Sequence, residues 1–207
     1  MKDLVYHRSL LPAATQFGDK AAVLDGDHTA TFSEHVERVL RLANAIRSEL
    51  GVRRQDRYAV MALNSHAYLE LYHAGFLGAG IINPLNLRLA PKELEFILKD
   101  SGTTTVFVDA PFANLIERVK ADAGIEKVVL IGGGDVAHDV KYEDLVSAGT
   151  SVVPEEPEED DPVILMYTGG TTGLPKGVVI DSRAAMLIMY KIGARWPFTE
   201  HYVYLHQ

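Results

Sequence analysis

Residues 167–178 are rich in residue types that can hold an anion. Glycine leaves the backbone free to adopt unusual dihedral angles and to bring its N–H groups close to a ligand. Threonine hydroxyls are further donors, and the Lys176 ammonium adds a compact positive charge. The candidate contacts are Thr168, Gly169, Gly170, Thr171, Thr172, Gly173 and Lys176. We therefore interpret residues 167–178 as a phosphate-binding segment, called the phosphate loop below.

Apolar runs on both sides of the phosphate loop indicate how it is held. Residues 163–167 precede it and residues 178–180 follow it, and both runs are typical of buried strands. Gly173 and Gly177 are expected to permit turns between these strands. A plain hairpin turn is disfavoured, because hairpin loops usually take about two to five residues and need no lysine. A Walker A loop is disfavoured because Pro175 precedes the lysine, glycine follows it, and no helix pattern begins there.

The order of residues in the phosphate loop resembles that of the adenylate-forming superfamily. This superfamily includes acyl-CoA synthetases, aryl-CoA ligases, luciferases and peptide-synthetase adenylation domains. Its pattern is roughly Tyr-Thr/Ser-Ser/Gly-Gly-Thr-Thr-Gly-x-Pro-Lys-Gly, and residues 167–177 match it throughout. The glycine at position 169 resembles the variant of this motif that fatty acyl-CoA synthetases carry. Further segments that look like the N-terminal part of these enzymes are residues 31–34, 59–65, 78–86 and 202–206.

The resemblance implies a domain organisation and an activity. Residues 1–207 would be the N-terminal portion of the large adenylation domain, ending inside it, with the rest of that domain and a small C-terminal domain absent. The complete enzyme would convert a carboxylic acid, here a fatty acid, to acyl-CoA, using ATP, Mg²⁺ and CoA and releasing AMP and pyrophosphate. The chain alone is expected to be inactive, and no catalytic residue is assigned in it.

The resemblance also implies roles for residues of the phosphate loop. The seven candidate contacts would bind the phosphates of ATP, and Lys176 would stabilise charge on the β- and γ-phosphates. Thr168 would lie near Mg²⁺ that is held through ATP. After the loop, Asp181 and Ser182 stand where many members of the superfamily carry a Thr/Ser-His pair. A role that depends on that histidine is therefore not transferred to this chain.

Two alternatives to a fatty acyl-CoA ligase remain open. An aryl-CoA ligase or an amino-acid adenylation domain would carry the same phosphate loop, because the acid pocket is expected mostly beyond residue 207. A truncated, non-catalytic paralogue that binds nucleotide or a protein partner is the alternative outside enzymes. A P-loop kinase is disfavoured by the same residues that exclude a Walker A loop.

Composition narrows the class of partner and the compartment. The 207 residues carry a formal net charge of −8 and no dense basic run, which argues against nucleic acid as a partner. The chain has no cysteine, so disulfides and thiolate metal sites are excluded. No apolar run approaches the roughly 18 residues that a membrane-spanning helix needs. We expect a cytoplasmic protein with small-molecule substrates and, as a further partner, a second copy in a homodimer.

The rest of the sequence predicts the elements that position the phosphate loop. Short apolar runs alternate with helical segments of about ten residues, which predicts an α/β fold with a largely parallel sheet flanked by helices. The predicted strands are residues 58–63, 80–82, 104–108, 127–131 and 202–206. A capping-box pattern at residues 31–34 begins a helix on which Arg38, Arg41 and Arg47 are expected on a solvated face.

Two further sets of polar residues are interpreted as structural and not as metal or catalytic sites. Residues 154–162 contain six acidic residues and three prolines, which predicts a solvated connector rather than a metal site. His66 and His73 lie two turns apart on one predicted helix without a third ligand. We therefore expect the eight histidines to be structural or on the surface.

Overall fold

The computed structural model describes residues 4–169, 173–196, 199 and 202–205. Within these residues strands and helices alternate, as the sequence predicts. The strands are β1 Ala21–Asp25, β2 His28–Thr31, β3 Arg57–Met61, β4 Ile81–Pro84, β5 Thr105–Asp109, β6 Lys127–Ile131, β7 Val140–Lys141, β8 Pro162–Thr168 and β9 Lys176–Asp181. The helices are α1 His7–Phe17, α2 Phe32–Ser48, α3 His66–Phe76, α4 Pro91–Ser101, α5 Ala110–Ala123, α6 Tyr142–Ala148 and α7 Ser182–Arg195.

In this part of the chain, seven strands form one central sheet in the order β7-β6-β5-β3-β4-β8-β9. Every neighbouring pair from β7 to β8 is parallel, and β9 runs antiparallel to β8. β1 and β2 form a separate antiparallel hairpin. The predicted α/β fold with a largely parallel sheet is therefore confirmed. Because parallel strands end at the same edge of a sheet, β4 and β8 deliver the segments that follow them to one place.

Helices cover both faces of the sheet and bury alternate residues of each strand. On one face, α2, α3 and α6 pack against Tyr58 and Val60 of β3. On the other face, α4 and α5 pack against Ala59 and Met61 of the same strand. This two-sided burial explains why the parallel strands are continuous apolar runs.

The predicted helix starts are confirmed where side chains satisfy free backbone N–H groups. The Glu34 amide donates to Thr31 Oγ1 at 3.2 Å, and the Thr31 amide donates to Glu34 Oε2 at 2.8 Å, so the capping box at the start of α2 is complete. At α3 and α7 a single side-chain cap is present: Ser65 Oγ accepts from the Tyr68 amide at 3.3 Å, and Asp181 Oδ1 accepts from the Ala184 amide at 2.7 Å.

The strands around the phosphate loop differ from the prediction. β8 and β9 pair from Pro162–Asp181 to Thr168–Lys176, so the loop connects the two strands of a hairpin, which we had disfavoured. Strand β9 is the last in the sheet order and lies at the edge of the sheet, with 63% of Val179 exposed, rather than in the core. The argument against a hairpin failed because it assumed a short turn, whereas seven residues, 169–175, separate β8 from β9.

The expected turn-forming role is wrong for Gly177, whereas Gly173 lies at a bend in the connection between β8 and β9. Neither Gly173 nor Gly177 has a positive φ angle, and Gly177 lies within β9 opposite Tyr167. Their sequence positions near Pro175 favoured a turn, but the antiparallel pairing already includes Lys176 and Gly177.

The expectation of a solvated face on α2 is wrong for Arg38. Its side chain is only 23% exposed and forms ion pairs with Glu70 and Glu143, at 2.8 and 2.9 Å. The charge of Arg38 in the sequence did not predict this burial, because its partners Glu70 and Glu143 come from α3 and α6. Arg41 does lie at the surface, where it pairs with Glu37 one turn earlier.

The acidic connector is anchored at several points rather than freely solvated. Asp161 pairs with Arg54, and Glu156 pairs with Arg8 at 3.1 Å. Glu159 pairs with Arg183 at 3.0 Å. Cations from three distant segments therefore hold residues 154–162 against the fold, which composition alone could not reveal.

The other differences concern two short elements and the predicted strand at residues 202–206. The sequence interpretation missed β7 and α6, which have two and seven residues. Residues 202–205 are not in a strand, and His206 of that predicted strand lies outside the described residues. No helix in the described part of the chain is long and apolar enough to span a membrane.

Candidate functional site

Within the phosphate loop, the segment between β8 and β9 is flanked by two paired residues. Thr168 is the last residue of β8 and Lys176 the first of β9, and Thr168 Oγ1 donates a long hydrogen bond of 3.5 Å to the Lys176 carbonyl. Both residues, together with Gly169 and Gly173, are exposed to solvent. Gly170, Thr171 and Thr172, the other candidate contacts, lie outside the described residues. The structure thus places both ends of the loop side by side at the carboxyl edge of the parallel sheet.

Lys176 supplies a positive charge at this edge. Within the described ranges its ammonium forms no ion pair, so it is available to an anionic ligand. A lysine ammonium acts as a compact charge that binds phosphate through freely rotating donors. The Thr168 hydroxyl beside it is a second donor, held only weakly by its hydrogen bond within the hairpin.

A cavity of about 220 Å³ lies next to the phosphate loop. Its walls come from the end of β4, the start of α4 and the two ends of the loop. They include Leu85, Arg88, Ile97, Tyr167, Thr168 and Pro175. The cavity therefore combines an apolar floor with polar groups at the carboxyl ends of β4 and β8, where ligands bind in open α/β sheets.

Sequence reasoning did not identify the polar wall that Asn86 and Arg88 contribute to this cavity. The Arg88 amide donates to Asn86 Oδ1 at 2.9 Å, which folds the segment after β4 into a turn. Arg88 itself is exposed, and its guanidinium pairs with no carboxylate in the part of the chain that the structure describes. The signal in the sequence was the pair of polar residues, Asn86 and Arg88, that follows the buried strand β4 among leucines.

Tyr167 links the phosphate loop to α4. Its hydroxyl donates to Asp100 Oδ2 at 2.6 Å, and its ring packs against the apolar cluster beneath α4 and α5. Burial, together with the hydrogen bond to Asp100, raises the pKa of the Tyr167 hydroxyl well above its ordinary value. The hydroxyl therefore stays protonated near neutral pH and acts as a donor.

The histidines of the described segments have structural partners. His66 Nδ1 lies 2.8 Å from Asp25 Oδ2, and His73 lies 2.8 Å from both the Tyr6 hydroxyl and His35 Nε2. Burial lowers the pKa of the His35 imidazole, so this ring stays neutral at neutral pH. These contacts join β1, α2 and the residue before α1 to α3, and they support the structural interpretation of His66 and His73.

The described residues offer few ligands for Mg²⁺. No group of three or more His, Cys, Asp or Glu side chains among the described residues could hold a metal ion. Mg²⁺ in phosphate-transfer sites often keeps several waters and is bound through one or two protein oxygens and the substrate phosphates. The single Thr168 hydroxyl fits that mode, and its contact with Mg²⁺ stays a prediction.

Comparison with known proteins gives the family. The model of the family described as AMP-binding enzyme matches residues 11–207. The chain is 32% identical to 4-hydroxybutyrate–CoA ligase 2 of Metallosphaera sedula, over 84% of this chain and 34% of that protein. It is 33% identical to the fatty acid–[acyl-carrier-protein] ligase ScoC of Streptomyces coeruleorubidus, over 81% of this chain and 31% of that protein.

A solved structure shares the fold. A long-chain-fatty-acid–CoA ligase from Archaeoglobus fulgidus superimposes with a TM-score of 0.79 and 27% identity, over 89% of this chain and 38% of that one. The chain therefore belongs to the AMP-binding enzymes, the adenylate-forming superfamily, and it is similar to the N-terminal part of acyl-CoA ligases. It spans about a third of the length of the relatives named here.

Proposed function

We propose that this chain is the N-terminal part of an AMP-forming acid–thiol ligase, in which the phosphate loop binds the phosphates of ATP. The observation that carries the proposal is the Lys176 ammonium, which forms no ion pair with the described residues, at the carboxyl edge of the parallel sheet beside the cavity. Thr168, Gly169 and Gly173 would add hydroxyl and amide donors. Gly170, Thr171 and Thr172 would complete the set, as the resemblance to the superfamily implies.

The proposed reaction has two halves. The carboxylate attacks the α-phosphorus of ATP to give an acyl-adenylate, and pyrophosphate leaves. The CoA thiol then attacks the acyl carbonyl to give the thioester, and AMP leaves. Lys176 would stabilise charge on the β- and γ-phosphates and on the departing pyrophosphate. Mg²⁺ would neutralise phosphate charge, and Thr168 is the residue proposed to help hold it through ATP.

The names of relatives support the class of acid and thiol. They include ligases for a short hydroxy acid and for fatty acids, with CoA or an acyl-carrier protein as the acceptor. We propose a carboxylic acid of the fatty type and CoA for the complete enzyme, and a cytoplasmic location. The chain alone is proposed to be inactive, because one loop provides only part of the positioning that two substrates need.

Mg²⁺–ATP binding by variants of Lys176 tests this proposal. We expect Lys176→Ala to weaken the affinity for ATP by about 10- to 100-fold, because hydrogen bonds to charged groups contribute about 1.5–3 kcal/mol. Isothermal titration calorimetry of the purified chain measures the change. Lys191→Ala, on the exposed side of α7, is the matched control and should bind as wild type does. Equal affinities for wild type and Lys176→Ala would contradict the proposal.

A further inference from the structure

The ring of Tyr167 occupies a space that only glycine leaves open. Gly177 lies opposite Tyr167 in the β8–β9 pair. A Cβ atom at position 177 would lie 3.2 Å from Cζ of Tyr167 and 2.9 Å from Cδ1 of Leu165. Since the φ angle of Gly177 is not positive, backbone conformation does not require glycine there. The missing side chain instead allows the Tyr167 ring to lie across β9.

The hydrogen-bond partner of Tyr167 stands on a well-fixed element. Helix α4 begins with Pro91 at its first position, and Leu94 and Leu98 on its inner face are fully buried. At its other end, the Arg57 guanidinium donates to the carbonyl oxygens of Ser101 and Gly102. The end of α4 is therefore held from both the core and β3.

Asp100 is unfavourable for α4 itself. It lies in the last turn, where the helix dipole disfavours a negative side chain by about 0.3–1 kcal/mol. Its carboxylate nevertheless accepts the 2.6 Å hydrogen bond from Tyr167, 67 residues away in sequence. Hydrogen bonds to an ionised acceptor are short and strong, so this contact offsets the unfavourable position.

We propose that Tyr167 is a positioning residue for the phosphate loop. Its hydroxyl is held by the hydrogen bond to Asp100, and its ring packs in the space that Gly177 leaves open. Fixing the ring fixes the exit of β8, and with it Thr168 and the first residues of the loop. This inference rests on the proposed function and deepens it, because it names what holds the ATP-binding segment in place. Tyr167 acts through the loop and not on the substrate.

Hydrogen exchange of the ligand-free chain provides the first test. In Tyr167→Phe and Asp100→Ala, we expect amide exchange in residues 168–178 to rise by about 3- to 10-fold, as expected for the loss of one hydrogen bond. Asp100→Asn keeps an acceptor oxygen and should restore most of the protection. The double variant Tyr167→Phe/Asp100→Ala should be no worse than either single variant, since both remove the same bond. Tyr190→Phe, at an exposed tyrosine of α7, is the matched control.

The pattern of exchange distinguishes positioning from general stability. Positioning confines the change to the loop, whereas a merely structural role raises exchange throughout β8 and α4 as well. Unchanged loop exchange in both single variants, or a change that Asp100→Asn does not rescue, would overturn the inference.

Mg²⁺–ATP affinity separates this inference from the proposed function. We expect Tyr167→Phe to weaken binding by about 3- to 10-fold, in step with the increase in exchange. Increased loop exchange with wild-type ATP affinity would overturn a role in ATP binding. If wild type itself fails to bind ATP while the exchange pattern appears, the proposed function fails but Tyr167 still positions the loop.

Discussion

Glu70 carries a carboxylate into the interior, where its side chain has no exposed surface. It accepts hydrogen bonds from Arg38 at 2.8 and 3.2 Å and from the Tyr142 hydroxyl at 2.6 Å. Burial and the neighbouring Glu70 raise the pKa of Tyr142 well above its ordinary value, so this hydroxyl remains a donor. Arg38 also pairs with Glu143, so the same cation joins α2, α3 and α6.

Removal of the Glu70 carboxylate should therefore destabilise the fold. We expect Glu70→Ala to lower the free energy of unfolding by about 3 kcal/mol, because breaking a buried ion pair leaves polar groups without compensation. Glu143→Ala removes the other, 59%-exposed partner of Arg38, and should cost less than about 1 kcal/mol. Urea denaturation with an unchanged m-value measures both. Equal losses in the two variants would show that Glu70 does not hold this network.

At the scale of elements, the acidic connector shows how a polar segment becomes ordered. Asp161 accepts from Gln55 Nε2 at 3.3 Å and from the Glu158 amide at 2.6 Å, besides its ion pair with Arg54. Its carbonyl also accepts from the Ser182 amide at 2.9 Å, at the start of α7. Asp161 thus anchors the acidic connector immediately before β8.

Loss of the Asp161 contacts should make the acidic connector more susceptible to proteases. We expect Asp161→Ala to lower the local opening free energy by about 2 kcal/mol, through loss of hydrogen bonds to a charged group. Limited proteolysis within residues 154–162 would then be faster by about 30-fold, provided that opening is rapid compared with cleavage. Asp160→Ala changes an exposed neighbouring carboxylate and should leave the rate unchanged. Cleavage at the wild-type rate in Asp161→Ala would show that other contacts hold the segment.

The elements differ in how far the sequence could predict them. The parallel strands and the capping box were predictable, because their signals are local runs and short spacings. The partners of Arg38 and Asp161 were not, since they come from helices and loops far away in sequence. Gly177 is the clearest case in the candidate site: the motif places glycine there, but only the pairing with Tyr167 shows why.

At the scale of the whole molecule, exposed apolar side chains concentrate in β9, α7 and the residues after them. Val179 is 63% exposed, Ile188 53% and Trp196 59%. Helix α7 carries apolar residues on its outer side as well as its inner side, a pattern typical of a buried helix. Beside it, β9 ends the sheet with unpaired backbone groups in the described part of the chain.

This surface should make the isolated chain self-associate. An edge strand next to a large apolar patch favours contact between copies. We expect sedimentation velocity to show oligomers that grow with concentration, and the double variant Val179→Lys/Ile188→Lys to reduce them by about tenfold. Leu24→Lys changes an equally exposed leucine on the β1–β2 hairpin and should have no effect. Monomers at every concentration tested would contradict this expectation.

The order of strands also has a consequence for how the protein is made. β3, β4, β5 and β6 are consecutive strands whose mutual pairs can form soon after synthesis, whereas the pairing of Ile82 in β4 with Ile164 must wait for β8. Pairing across such a long stretch of chain is slow, because the intervening segment loses entropy before the contact forms. We therefore expect the β4–β8 pair, and with it the hairpin that carries the phosphate loop, to form after the pairs among β3, β4, β5 and β6.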